Sequence, residues 1–368
     1  MTRRLFSLIA VALLVASCSK GETAPTSVAT IPTTTTTLPP TTTTKPIPMP
    51  LTGLPKQPGE DPTRPVVGVK VENDPVARPL AGFEKADVVY EEEVEGGYTR
   101  FILLFQSEDA DIVGSVRSVR PVDPDILVQY GHPILAASGG IPTFENLVVS
   151  AGIVGVFESA DGVTAGALTR RSDRYAPHNL YANISAVREF VAKSGQGQDT
   201  SPPPANLFPF GARELTRTTT ATTDTVSATV SGATKATSAV VHFGSQPMEW
   251  SYEQGRWVRY DGVGTGDAFV TEEGSGVTGD NIAIMSVNPL ATGNVDPSGA
   301  DVPSWEVVGT GPLTFLTSDG HAITGTWSRP SLEDVTKFLD GAGKVIPFTP
   351  GRTWIQLLPE GRTVDTSA

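Results

Sequence analysis

The alternation of apolar and polar positions divides the chain into short segments rather than long amphipathic helices. VVGVKVE (66–72) is short and β-branched, which predicts a strand. ADVVYEEEV (86–94) and YTRFILLF (98–105) flank Gly96-Gly97. Two glycines as a two-residue loop predict a tight hairpin, because such loops need positive φ. That register opposes Glu95 to Tyr98, Val94 to Thr99 and Glu93 to Arg100. The period of two then puts Glu91, Glu93 and Glu95 on one face with Arg100. Val88, Tyr90 and Val94 fall on a core face with Phe101, Leu103 and Phe105. HPILAAS (132–138) reads as a buried strand. Asp123-Pro124-Asp125 ahead of ILVQY predicts a helix start with Asp123 as N-cap. Ile184, Val187, Phe190 and Val191 have helical spacing, and Gly195 is the expected C-terminal stop.

The pattern changes after GQGQDTSPPPA, which reads as a linker over 196–205. Beyond it hairpin signals repeat. WSYEQGRWVRY turns at Gln254-Gly255 and pairs Tyr252 with Trp257. LTFLTSDGHAITGTW turns at Asp319-Gly320. KFLDGAGKVIPF and RTWIQLL read as closing strands, and a short helical turn is expected near Ser331 to Phe338. The fold class is therefore α+β. An N-terminal mixed α/β layered domain (49–195) precedes a mostly β C-terminal domain (206–361).

The first residues bear on location. MTRR followed by LFSLIAVALLV has the form of a signal peptide, too short in its apolar part to span a bilayer. VASC ends at Cys18, the sole cysteine, and fits a lipobox. Residues 1–17 are thus the expected leader and Cys18 the lipid attachment point. More than one acyl chain gives stable anchoring. Residues 18–48, rich in Thr and Pro, read as a disordered stalk. The protein is expected to be exported, on the outer face of the cytoplasmic membrane. Thr2-Arg3-Arg4-Leu5-Phe6 leaves both the general and the twin-arginine routes open. One cysteine excludes an internal disulfide, and its lipidation leaves no thiol for catalysis. The net charge of −13 argues against nucleic acid as a partner. The expected partners are the membrane, through Cys18, and a cell-wall component or envelope protein.

Catalytic constellations are sparse. There is no G-x-S-x-G elbow and no P-loop, and the one S-x-x-K spans Ser17 to Lys20 at the cleavage site. Histidines at 132, 178, 242 and 321 lack any paired spacing. A zinc site would need Asp and Glu joined by a remote histidine. No metal and no cofactor are assigned. Polar residues concentrate in the first domain. Glu91, Glu93 and Glu95 repel one another on a shared face, and Arg100 alone cannot balance them. Arg117 and Arg120 of GSVRSVRP are the nearest cationic candidates, with planar forks suited to carboxylate or phosphate. His178 and Asn179 follow Pro177 in a stiffened loop. Asp74 is expected to make an Asx-turn. The five tryptophans read as core rather than as a sugar platform.

PLTGLP, RPVVGVKVEND, ADVVYEEEVEGGYTRF, VRSVRP, APHNLY, GTWSRPS and PGRTWIQLLPEG occur in that order. The set resembles the YerB-like family of bacterial lipoproteins, a two-part domain of unknown function. The resemblance implies a two-domain exported lipoprotein and brings no activity. Relatives often read GPVRSAR in place of GSVRSVR, and often carry a histidine before the Gly-Gly that here follows AAS.

Three readings follow. The first is binding or scaffolding in the cell envelope, through a cleft lined by Glu91, Glu93, Glu95, Arg100, Arg117, Arg120, His178 and Asn179. The second is a carboxylate-dependent hydrolase of wall glycan. Its two carboxylates must stand roughly 5 to 9.5 Å apart, and alternate strand positions, ~7 Å apart, meet that spacing. The third is a structural polar network between the domains.

Overall fold

One mixed sheet of eleven strands runs through both halves of the chain. The structure is a computed structural model describing residues 47–158, 166–211, 230–264, 266–296 and 299–368. The expected leader, Cys18 and the stalk up to residue 46 lie outside the described residues. The first half supplies β1 (Val67–Glu72), β2 (Val88–Glu93), β3 (Thr99–Phe105), β4 (Ile134–Ala137) and β5 (Val154–Phe157). The second supplies β6 (Ala233–Lys235), β7 (Asn281–Val287), β8 (Gly309–Thr317), β9 (His321–Arg329), β10 (Lys337–Asp340) and β11 (Thr353–Pro359). Their order is β10-β9-β8-β7-β11-β2-β3-β1-β4-β5, with β6 beside β9. The halves meet where β2 pairs in parallel with β11, from Val88 opposite Thr353 to Glu92 opposite Leu357.

The sheet is covered on both faces, so its middle strands are buried at every position rather than at alternate ones. One face carries Val69, Val89, Phe101, Leu103, Ile284 and Trp354. It packs on the helix α3 (Ile184–Lys193) and on a second sheet built from Ser238–Val241, Met248–Glu253, Arg256–Asp261 and Val364–Ser367. The other face carries Tyr90, Ile102, Leu104, Met285, Phe315 and Ile355. Ile126 and Leu127 of α1 (Asp123–Leu127) and Phe144 and Val148 of α2 (Pro142–Ser150) cover it. The sequence signals do not announce α2, which buries only those two side chains.

All five tryptophans are core, and each indole N–H is bonded. Trp250 donates to Gln356 Oε1, and Trp257, Trp305, Trp327 and Trp354 donate to backbone carbonyls. A buried indole needs that partner, and none remains as an exposed platform.

The mostly β second half and mixed first half agree with the expected fold class. Tyr252 pairs with Trp257 across Gln254-Gly255, as anticipated. Gly320 turns the β8–β9 hairpin at φ 76°, but Thr317 pairs with His321, so Ser318 joins the loop. Three local expectations need correction. Asp123 is the first helical residue rather than the N-cap; its carboxylate accepts instead from the backbone N–H of Arg120 at 2.8 Å. The stretch 331–338 is a turn running into β10, with no helix, because it must reach the sheet edge. The hairpin between β2 and β3 also departs from the two-residue form. Val94 to Tyr98 form the connection, in which Val94 N–H donates to Tyr98 O at 2.7 Å. Gly96 and Gly97 both have positive φ, as their residue type allows. Gly97 is also needed for closeness: a side chain there would meet the backbone of Gly244 and Ser245.

Candidate functional site

That loop shifts the register by one residue from the tight-hairpin expectation. Glu93 faces Thr99, Glu92 faces Arg100 and Glu91 faces Phe101. In a strand a one-residue slip exchanges the two faces. Arg100 therefore shares a face with Glu92, while Glu91 and Glu93 project to the opposite side.

On the first side Lys70 of β1 stands between two carboxylates. Its Nζ bonds Glu92 Oε1 at short range and Asp123 Oδ1 at 2.7 Å, and all three side chains are almost fully buried. Two buried carboxylates share one cation. Burial pushes the Glu92 carboxyl up to about 7, with Lys70 opposing and Asp123 reinforcing the rise.

On the second side the acidic strand meets the C-terminal half. Glu91 is bonded bidentately by Arg259, Nη1 to Oε2 at 2.8 Å and Nη2 to Oε1 at 2.9 Å. Thr99 Oγ1 and Gln356 Nε2 also donate to it, at 2.8 and 2.7 Å. Arg259 is sandwiched among Phe101, Phe269 and Trp354, 5.3–5.5 Å from each ring centre. Such a guanidinium is held by aromatic faces as well as by charge. Glu93 accepts from Gly244 N–H at 2.6 Å and lies 3.3 Å from Arg362 Nη2. Its own carbonyl accepts from Trp305 Nε1 at 2.9 Å.

The other singled-out residues divide in two. Glu95, Arg100, Arg117, Arg120 and His178 gather around a small cleft at the end of β1. Its volume is about 160 Å³, and Glu72, Asp74, Glu95, Arg100, Arg117 and Asp296 are among its lining residues. Arg120 Nη2 pairs with Glu95 Oε2 at 2.6 Å behind it. Arg100 has as its bonded partner the carbonyl of Ser118, at 3.0 Å from Nη1. Burial pushes Arg100 down to about 9, and Arg120 and Arg117 act in the same direction. His178 Nδ1 lies 2.8 Å from Glu72 Oε2, and Arg117 Nε lies 3.6 Å from the same oxygen. Several buried atoms here have no hydrogen-bond partner: Glu72 Oε1, Glu95 Oε1, Arg117 Nε and Arg120 Nε. Asn179 stands apart, where it accepts from Arg170 at 2.5 Å and donates to Arg171 O at 3.1 Å. It braces its own loop.

Sequence reasoning did not single out Lys70, Glu72 or Arg259, and it read Asp123 only as a helix cap. Lys70 and Glu72 carried a signal: a Lys and a Glu inside a β-branched strand that is otherwise apolar. Arg259 had none, because its partner lies 168 positions away. Asp74 makes the expected turn, accepting from Val76 N–H at 3.0 Å, and also faces the cleft.

Residues 51–197 match the family model described as protein of unknown function (DUF3048) N-terminal domain, and 239–355 match its C-terminal domain. A relative from Bacillus subtilis (strain 168), named "Putative lipoprotein YerB", is 28% identical over 314 residues. The match covers 84% of this chain and 86% of that protein. The crystal structure of the Bacillus subtilis YerB protein shares the fold, with a TM-score of 0.68 at 23% identity. It covers 86% of this chain and 99% of that one. Among the described residues no helix is long and apolar enough to cross a membrane.

Two outcomes are expected from these contacts. Arg259→Met leaves Glu91 as an uncompensated buried charge, so urea denaturation should show a loss of about 3–5 kcal/mol. The Glu92 carboxyl binds its proton more tightly folded than unfolded. Its stabilising contribution is full below its ordinary value of 4.5 and is lost as pH rises through about 7. Glu92→Gln has no such loss. Denaturation across that window should show the variant gaining on the wild type as pH rises, then levelling off.

Proposed function

Because the chain belongs to the two-part DUF3048 family that includes YerB, we propose that it is a lipoprotein of the cell envelope with a binding role. In this reading Cys18 carries the lipid, residues 18–48 form a stalk, and the folded body stands outside the cytoplasmic membrane. The relative's name supports the lipoprotein part, and the VASC motif supports the attachment point. The body holds an anionic or zwitterionic wall component in the cleft at the end of β1.

Arg100 carries the reading. It faces the cleft with a single carbonyl as bonded partner, beside two further arginines, and Glu95 is committed to Arg120. Burial is the main cause that pushes Arg100 down to about 9, with Arg120 and Arg117 adding to it, and an anion bound beside the guanidinium offsets that cost. The guanidinium forks of Arg100 and Arg117 suit carboxylate or phosphate oxygens. Glu95, Arg120 and His178 position this wall.

Glu91 and Glu93 serve in this reading as the seam between the two halves. Glu91 receives five hydrogen bonds and is wholly buried, which suits a structural network and not an acid–base pair. Asn179 likewise braces its loop.

Two measurements test the proposal. Thermal stability of the protein should rise with carboxylate- or phosphate-bearing wall fragments, since a ligand that binds the folded form stabilises it. Arg100→Ala should weaken that binding roughly ten- to hundredfold, as expected for a lost charged hydrogen bond. An equal shift in both proteins removes Arg100 from the site. For the anchor, Cys18→Ala should move the protein from the membrane fraction to the soluble fraction; retention in the membrane would refute lipid attachment there.

A further inference from the structure

The acidic end of the same cleft has a composition that the arginine wall does not explain. Glu72, Asp74 and His178 each offer one donor atom, and these atoms lie within 4.8 Å of one another. We propose that they form a binding site for a divalent transition-metal ion of the zinc or manganese class.

Glu72 is the strongest element of the case. It is the last residue of β1, its backbone fixed by pairing opposite Arg100 of β3. It is only 2% exposed. Its Oε2 stands 2.8 Å from His178 Nδ1, while its buried Oε1 has no hydrogen-bond partner. A buried carboxylate oxygen without a partner bears its full desolvation cost. A cation beside it supplies the missing interaction. The short spacing between the imidazole nitrogen and the carboxylate oxygen suits two donors sharing one ion.

Asp74 lies two residues on, in the loop that leaves the strand. One of its oxygens caps the turn at Val76 N–H. The other has no hydrogen-bond partner among the described residues. His178 comes from a distant loop, where its N–H donates to Tyr175 O at 2.9 Å. Its side chain is 22% exposed, open enough for an ion to enter. Donors bonded to one ion at zinc's 2.0–2.2 Å stand at most about 4.4 Å apart, so atoms already within 4.8 Å need to close only slightly.

The donor set selects the class of ion. Calcium and magnesium favour all-oxygen shells. One imidazole with two carboxylates suits zinc or manganese. Arg117 weakens the attraction, as it stands 3.6 Å from Glu72. Two carboxylates outnumber the one guanidinium that stands within 4 Å of them. Three protein donors leave coordination positions for water or for an anionic ligand. The proposal does not depend on the arginine-bound ligand.

The test is calorimetric titration of Zn²⁺ and Mn²⁺ into the full chain, made without a histidine tag and stripped with chelator. No organic ligand is present, so the result is independent of the wall-component reading. The expected result is saturable binding of one ion per chain and a thermal midpoint that rises with metal and returns with EDTA. Glu72→Gln and His178→Ala should each abolish that binding. His178 lies in a partly exposed loop, so its variant is expected to fold, which circular dichroism checks. His242→Ala, at the exposed His242–Asp365 pair, should bind as the wild type does. Absence of saturable binding by the wild type overturns the proposal, as does unchanged binding in the folded His178→Ala variant.

Discussion

The ion pair between Glu91 and Arg259 fixes how the two halves of the chain meet. Glu91 belongs to the middle of the large sheet and Arg259 to the second sheet laid across it. Neither charge has access to water, so each is tolerable only while the other is in place. The bidentate geometry sets distance and angle together. The aromatic cluster of Phe83, Phe101, Phe269 and Trp354 surrounds the guanidinium and draws residues from both halves. An apolar contact of the same area would tolerate sliding, whereas this one does not.

From that anchor the arrangement of the acidic strand follows. With Glu91 committed to Arg259, the period of two sends Glu92 to the opposite face, where Lys70 and Asp123 wait. Glu93 then reaches the Gly244 N–H at the edge of the second sheet. Glu95 lies beyond the strand and closes on Arg120. Four neighbouring carboxylates thus have four different partners. The polar cleft lies beside this construction, built from the end of β1 and the loop that Gly97 allows to pack.

Much of the fold was legible in local patterns. The positions of β1, β2 and β3, the α3 periodicity and the Gln254-Gly255 turn are fixed by neighbours in sequence and stand as read, but the register slip puts Phe101, Leu103 and Phe105 on the face opposite Val88 and Tyr90 rather than with them. The site was legible only in part. Glu95, Arg100, Arg117, Arg120 and His178 could be grouped because polar residues with stiff flanks were few. The partition of the glutamates could not. It depends on one extra turn of loop at 94–98, and that loop is shaped by Gly244, Ser245 and Trp305, which lie far along the chain. Arg259 and the pairing of β2 with β11 were hidden for the same reason: nothing local encodes a partner that tertiary contact selects.

The parallel pairing of β2 with β11 has a bearing on how the protein assembles. Glu91 and Gln356, which bond across that pair, stand 265 positions apart. Contacts so distant must repay a large closure entropy before they stabilise anything, which makes folding slow. Until β11 arrives, β2 is an open strand edge flanked by apolar side chains, the kind of edge that recruits other strands. The row of glutamates along β2 answers that hazard. Charged side chains on an unpaired strand repel a second copy of themselves, and so guard the edge until its own partner comes.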